Sequence, residues 1–510
     1  MVSQNGKDDG RAWARHVGHD WLRRMGTNWI LLAGLAILTI GNGYATQASA
    51  RSNDAAVMVR PGDNLQALID SAGEGATFRF SPGVYRMQQI VPRNNQRFIG
   101  RPGVILNGAQ IITGWRQENG YWVARAPQER LRPHGVCEDE TELCTFREDL
   151  FIDGKRSRAV AAVDQVGPGT WYRNDESIFL VDDPAGRLVE MSAAPWAIQS
   201  DAKNVVLEQL VVEKYATAAQ AGAIDGRYGE DWKLVDVVVQ WNHGVGLFLG
   251  RNMQVTGGSI SNNGQLGIGG DGSGAVIDGV KIAVNNYAGF SAGWEGGGTK
   301  FVRSKRLVVR NSCIHDNIGP GLWTDIDNID ITYTNNKVFR NLGDGIKHEI
   351  SYRALIADNV VARNGKGYDV WLWGSQILIQ NSADVEVRNN VVEIAPGYGN
   401  GISVVYQERG SGKLGAYDAK NNHIHDNTII HLGAHGRGGI VADYSIETFW
   451  ETNSNRFDNN RYIVAGPRDS ILGIKNHFGN WVEARAQGFE KNGSLKVQKR
   501  TPVAFTCDKS

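Results

Sequence analysis

Gly321-Leu322-Trp323-Thr324-Asp325-Ile326-Asp327 falls, 24 residues on, over Gly345-Ile346-Lys347-His348-Glu349-Ile350-Ser351. The two stretches share one grammar: apolar residues alternate with others, and a turn of Asn, Asp and Gly precedes the glycine that opens the run. The same grammar recurs in VVVQWNHGVGL (Val237–Leu247), GSISNNGQLGI (Gly258–Ile268), VKIAVNNYAGF (Val280–Phe290), SCIHDNIGPGL (Ser312–Leu322), NKVFRNLGDGI (Asn336–Ile346) and HIHDNTIIHLGAHGRGGI (His423–Ile440). Subtracting the numbers of Asn242, Asn263, Asn285, Asn317, Asn341 and Asn364 gives spacings of 21, 22, 32, 24 and 23 residues. A period of twenty-odd residues marks a solenoid, and alternation of period two makes each unit a set of strands. Asn and Gly accept the positive φ of the turns between them. The unit is one coil of a parallel β-helix, with like positions of successive coils stacked about 4.8 Å apart.

Composition agrees. The 510 residues carry 54 basic and 54 acidic side chains, so the chain lacks the basic excess of a nucleic-acid binder. With 15 tryptophans and 41% apolar residues it can bury a large core, which excludes disorder as its main state. Its 63 glycines suit a fold of many tight turns.

VRPGDNLQALIDSAGEGATFRFSPGVYR (Val59–Arg86) resembles the opening segment of pectin-lyase-like right-handed parallel β-helix proteins, built from PbH1 repeats. The resemblance implies a short helix capping the open end of the core, then a strand ending in the turn Pro82-Gly83-Val84-Tyr85. Asp63-Asn64 can cap that helix, and Leu65, Leu68 and Ile69 form its apolar face. Such a fold hosts hydrolases, lyases, epimerases, tailspikes and accessory proteins, so it implies carbohydrate chemistry without choosing a reaction.

The expected organisation is all-β: a right-handed parallel β-helix solenoid with an N-terminal capping helix and an inserted small β-subdomain. Residues 1–50 read as a signal peptide. Arg11, Arg15, Arg23 and Arg24 precede an apolar run from Trp29 to Gly41, and Ala48-Ser49-Ala50 is a cleavage site. The run is shorter than the roughly 20 residues of a membrane span, so no permanent span is expected after cleavage. Residues 51–110 form the N-terminal cap and first coil. In 111–200 the grammar breaks into short hairpin strands with D-G and P-A-G turns, an inserted β-rich subdomain of a kind found in several β-helix glycoside hydrolases. Coils resume over 201–478, and 479–510 form a C-terminal cap or tail. Export to the periplasm or outside the cell permits a disulfide across CEDETELC, between Cys137 and Cys144. Cys313 reads as a core residue, and Cys507 is unassigned.

Aligning coils on the glycine after the turn turns Leu322, Thr324 and Ile326 inward with Ile346, His348 and Ile350. Trp323, Asp325 and Asp327 then face outward beside Lys347, Glu349 and Ser351. The same alignment puts Asp271 and Asp443 in the Asp325 column and Glu295 in the Asp327 column, a ladder of carboxylates. Like charges one strand spacing apart raise one pKa, the condition for an acid beside a base. The expected catalytic residues are Glu349 as general acid and Asp325 as nucleophile or base, with Asp327 as alternate; carboxylates about 5–5.5 Å apart suit a retaining glycosidase. Lys347 is either an ion-pair partner or the base of a lyase. Trp323, Glu295, Lys300, Trp371, Trp373, Asp271 and Tyr406 are candidates for substrate contact, on a long loop at 293–303 and neighbouring coils. His348 reads as a satisfied inner histidine.

These residues point to an exported polysaccharide hydrolase that requires no cofactor. Two alternatives stay open. One is a lyase or C5-epimerase on a uronate polymer, with calcium bound by Asp325, Asp327 and Glu349 as in pectate lyases. The other is a non-catalytic glycan-binding or periplasmic accessory protein. The polygalacturonase motifs NTD and GHG and the epimerase triplet DPH are missing. The partner is a polysaccharide or oligosaccharide, not nucleic acid, and the spacing does not separate a monomer from a homotrimer.

Overall fold

The computed structural model describes residues 56–127, 131–368, 370–443, 447–502 and 506–507. The signal segment lies outside the described residues. Among those described, three sheets of 13, 13 and 12 strands run side by side along the chain, parallel with one strand per coil except where Leu472–Ile474 and His477–Gly479 close the 12-stranded sheet as an antiparallel pair. One coil is Val308–Arg310, Cys313–His315 and Leu322–Asp325; the next is Ile331–Thr334, Lys337–Phe339 and Ile346–Glu349. Every second side chain points inward, so like residues stack. Leu207, Leu234, Val255 and Ile277 lie in register down the first sheet, and all are buried. Each such side chain contributes about 1.5–3 kcal/mol by leaving water. The expected parallel β-helix is the fold.

The repeated asparagines explain why the coils keep register. Asn242 donates through Nδ2 to Asn263 Oδ1 at 3.1 Å, and the ladder continues through Asn285, Asn317 and Asn341 to Asn364 at 2.8–3.1 Å. Each asparagine satisfies a neighbour's buried amide, which an apolar residue could not do. A second ladder, from Asn336 through Asn359, Asn390 and Asn427 to Asn460, runs along another corner.

At the N-terminal end the helix Leu65–Ala72 starts on Asn64, whose side chain accepts from Ala67 N, and it buries Leu65 and Ile69 over the first coil. Coils begin at Val57–Val59, well before residue 201. The last strand, Ser494–Val497, pairs in parallel with Arg461–Val464, after a helix at Trp481–Ala486 with an Asn480–Glu483 capping box. The inserted sheet spans Ala109–Ile111 to Val189–Ser192, has eight strands among the described residues and is mostly antiparallel. Its buried Glu190 ties it to the solenoid, accepting from Arg86 and Lys214, each at 2.6 Å.

Cys137 and Cys144 form a disulfide. Cys313 corrects the sequence reading: its strand position faces outward, and it is bonded to Cys507 of the C-terminal segment. Period-two alternation identified a strand there but not which neighbour would cover its outer face.

Candidate active site

Leu322–Asp325 pairs in parallel with Ile346–Glu349, matching Trp323 to Lys347, Thr324 to His348 and Asp325 to Glu349. Leu322, Thr324, Ile346 and His348 are fully buried. Trp323, Asp325, Lys347 and Glu349 occupy the outer face, with the two acidic residues on adjacent strands about 4.8 Å apart. The alternation stops there. Ile326 and Asp327 both adopt left-handed φ, 62° and 57°, so Ile326 leaves the core column. Asp327 does not stand beside Ser351, whose Oγ instead accepts from Asn328 Nδ2 at 3.1 Å.

Three cations and an indole surround the acidic pair. Lys347 Nζ lies 2.6 Å from Glu349 Oε2, and Trp323 Nε1 donates to the same oxygen at 3.2 Å. Arg409 Nη1 reaches Glu349 Oε1 at 3.0 Å. Lys300 Nζ lies 2.9 Å from Asp325 Oδ2 and donates to Trp294 O at 2.7 Å. Both lysine ammonium groups stand over the Trp323 ring, at 4.1 and 4.7 Å from its centre. Asp325 Oδ1 is buried without a partner.

The two carboxyls titrate in opposite directions. Burial pushes Glu349 up, but Lys347, Arg409 and Lys300 together outweigh it and hold the group at about 2. Burial raises Asp325; the adjacent Lys300 lowers it, the charge of Glu349 adds to the rise, and the net direction is up. Burial also lifts Asp344 to about 6. Lys347 is lowered by burial, yet Glu349, Asp344 and Asp325 hold it above its ordinary value, fully protonated. His348 is pushed down to about 4 by burial. It is neutral, with Nδ1 2.7 Å from the Thr324 hydroxyl and Nε2 2.7 Å from Tyr352 O, so Nε2 carries the hydrogen and Nδ1 accepts.

Several expected neighbours are elsewhere. Asp271 does extend the Asp325 column, since Gly270 pairs with Phe301 and Phe301 with Thr324, but it stands two coils away, beyond Val302, and its exposed carboxylate accepts from Ser273. Asp443 is not in the Asp325 column, because Glu349 continues through Gln380 and Val405 to Val441; Asp443 instead accepts from Gln407. The Asp443 error comes from counting glycines across coils of unequal length. Glu295 belongs to the loop before the strand Gly297–Val302, 4.0 Å from Lys300 Nζ rather than in the Asp327 column. The loop thus ends at residue 296. Trp371 and Trp373 pack on an apolar cluster of Leu372, Leu378, Val405 and Val441, and Tyr406 stacks on Phe449. The tryptophan cluster continues the outer face of the pair by one coil, since its Leu378 is paired with Lys347.

The sequence reading missed Arg409, which sits 60 residues from Glu349 on a strap formed by the hairpin of Ser411–Gly412 with Gly415–Ala416. Asp327 anchors that strap: its Oδ1 accepts from Lys413 N at 3.1 Å and from the Tyr417 hydroxyl at 3.0 Å. Asp325, Asp327 and Glu349 therefore make a poor calcium site. Two are neutralised by cations, and the third is spent on the strap. Among the described residues, Cys313, His315 and Cys507 bring potential metal-ligating atoms together, but both thiols are used in the disulfide.

Residues 223–384 match the family model of the right handed beta helix region. With the three parallel sheets, this defines the chain as a right-handed parallel β-helix protein. No curated protein matches the sequence. Among solved structures, the complex of XylC with xylose is similar at 15% identity, covering 81% of this chain and 83% of that one, with a TM-score of 0.63. The A-module of the mannuronan C-5 epimerase AlgE4 of Azotobacter vinelandii follows at 12% identity, 85% and 92% coverage and a TM-score of 0.48. The Gp54 tailspike of Acinetobacter baumannii bacteriophage AP22, in complex with a capsular saccharide, shares 9% identity over 87% and 77% of the chains, with a TM-score of 0.39. At these identities the likeness is one of fold.

Proposed function

We propose that the protein is an exported glycoside hydrolase using Asp325 and Glu349 as its catalytic pair. The carrying observation is their electrostatic asymmetry: on neighbouring strands, one carboxyl is held ionised by Lys347 and Arg409, while the other is raised and keeps one oxygen, Oδ1, free of partners. This favours the reverse of the roles expected from sequence. Asp325 donates its carboxyl proton to the glycosidic oxygen as the bond from that oxygen to the anomeric carbon breaks, and the Glu349 carboxylate attacks the same carbon. A water then gives its proton to Asp325 and displaces Glu349, returning both groups to their starting state. The strand spacing suits this two-step, retaining course. The lyase alternative loses its base, since Lys347 is held protonated. The two disulfides suit an oxidising compartment, and among the described residues no helix is long and apolar enough to cross a membrane.

The test follows reducing ends and the ultraviolet absorbance of unsaturated uronates together, over a panel of neutral and acidic glycans. Hydrolysis yields reducing ends without absorbance, and Glu349→Gln or Asp325→Asn lowers the rate by about a thousandfold or more. With an activated glycoside, azide restores turnover of Glu349→Ala as a glycosyl azide of inverted configuration and of Asp325→Ala as one of retained configuration; the opposite pair of configurations would exchange the two roles. Absorbance rising with reducing ends, or binding without turnover by folded protein across the panel, would overturn the hydrolase.

A further inference from the structure

A cavity lies on the outer face of the same sheet, toward the N-terminal end of the solenoid. Its volume is about 260 Å³, and Arg147, Trp196, Asp225, Arg227 and Tyr228 contribute to its lining. Counting paired strands from Asp225 through the Phe248, Gly269 and Lys300 coils to the Trp323 coil gives four steps, or about 19 Å from the catalytic pair along the solenoid axis.

The charges of this cavity do not cancel. Arg227 holds Asp225 in a fork, Nε to Oδ1 at 2.8 Å and Nη2 to Oδ2 at 2.7 Å, and lies over the Phe248 ring at 4.0 Å. Both are satisfied. Arg147 is not: among the described residues its guanidinium makes no ion pair, and its buried Nε has no hydrogen-bond partner. The neighbouring Glu148 is committed to Arg173 at 2.8 Å and to Leu131 N at 3.0 Å. A half-buried guanidinium whose Nε is sealed from water and unpaired is costly unless an anion completes it. Burial lowers the Arg147 pKa, consistent with that missing partner. Beside it, Tyr228 is 68% exposed, and Trp196 offers a second aromatic surface. A planar cation next to two aromatic residues recognises a sugar ring that carries an acidic group.

We infer that this cavity is a binding site for an anionic sugar unit, a uronate or a sulfated saccharide, with Arg147 receiving the acidic group and Tyr228 and Trp196 the ring. The sugar part of the inference rests on the carbohydrate reading above, whereas the anion part rests on Arg147 alone.

The test uses the full mature chain carrying Asp325→Asn and Glu349→Gln, so that binding is read without turnover. Oligogalacturonate, a sulfated oligosaccharide and a neutral oligosaccharide of equal length are titrated by calorimetry. Arg147→Gln is expected to weaken the preferred acidic ligand by about tenfold or more, the worth of a charge-assisted hydrogen bond, and to leave any neutral ligand unchanged. The preference between carboxylate and sulfate identifies the source of the charge. Tyr228→Ala, at an exposed position that does not test folding, should weaken acidic ligands as well. Equal acidic-ligand affinity in the parent, Arg147→Gln and Tyr228→Ala proteins, or no acidic ligand bound by the parent, would overturn the site. Either result leaves the turnover experiment untouched, so the two proposals fail separately.

Discussion

Acidification should destabilise the coil behind the acidic pair through His348. The imidazole is fully buried between Thr324 and Tyr352 and titrates at about 4, against 6.5 for the free side chain. The folded state therefore binds its proton later than the unfolded state. Stability from this group is complete above 6.5 and is lost progressively as pH falls toward 4. Integrating between these two values gives about 2 kcal/mol less stability at pH 5 than at pH 7 from this residue alone. Asp344 works in the opposite sense, because a carboxyl raised to about 6 binds protons earlier when folded and gains stability on acidification. The total slope thus mixes terms, and the difference between two proteins isolates one. His348→Gln should be less stable at pH 7, having lost the rigid ring that bridges Thr324 and Tyr352 O, but its stability should fall about 2 kcal/mol less between pH 7 and 5. Urea titrations of both proteins at several pH values measure this. Parallel curves for wild type and variant would refute a neutral, buried His348.

Other perturbations address the site directly. Asp327→Ala removes the anchor of the 407–417 strap, and Arg409→Ala removes what the strap presents; each should lower kcat/KM by about tenfold or more, with the double variant no worse than Arg409→Ala alone. Lys300→Met removes the cation that lowers Asp325. The Asp325 pKa should climb, and the alkaline limb of the pH–rate profile, set by loss of that proton, should move to higher pH. Cys507→Ser frees the C-terminal segment from the strand at Cys313, so hydrogen exchange should rise at Ser494–Val497 while the coils around Asp325 keep their protection. Equal exchange in both proteins would show that strand pairing alone holds the end.

The fold was readable because its determinants are local and repeated. Asn242, Asn263, Asn285, Asn317, Asn341 and Asn364 announced a period in sequence, and in space they are the ladder that enforces it. The pairing of Asp325 with Glu349 was readable for the same reason, since two adjacent coils of nearly equal length keep glycine-based register. It failed where lengths differ. Asp443 lies beyond the 407–417 strap, and Glu295 lies in a loop whose boundary no alternation marks. Ile326 and Asp327 show a further limit: left-handed turns at a non-glycine pair end the alternation without a signal in residue type.

What remained unreadable is the part that decides the chemistry. A column of carboxylates suggests repulsion, yet each member of the central pair is matched by a cation brought from a different place: Lys300 from the preceding coil, Lys347 from the Glu349 strand, and Arg409 from the strap. Because Glu349 receives two of these and Asp325 one, the pair is asymmetric by number of partners rather than by residue type. No property of Asp or Glu encodes that difference. The strap therefore does more than close over the site. By delivering Arg409 to Glu349, and by consuming Asp327 as its anchor, it keeps Glu349 ionised and leaves the proton to Asp325. On this argument Arg409→Ala should narrow the gap between the two carboxyls, and its pH–rate profile should lose activity at a higher pH on the acid side than wild type does.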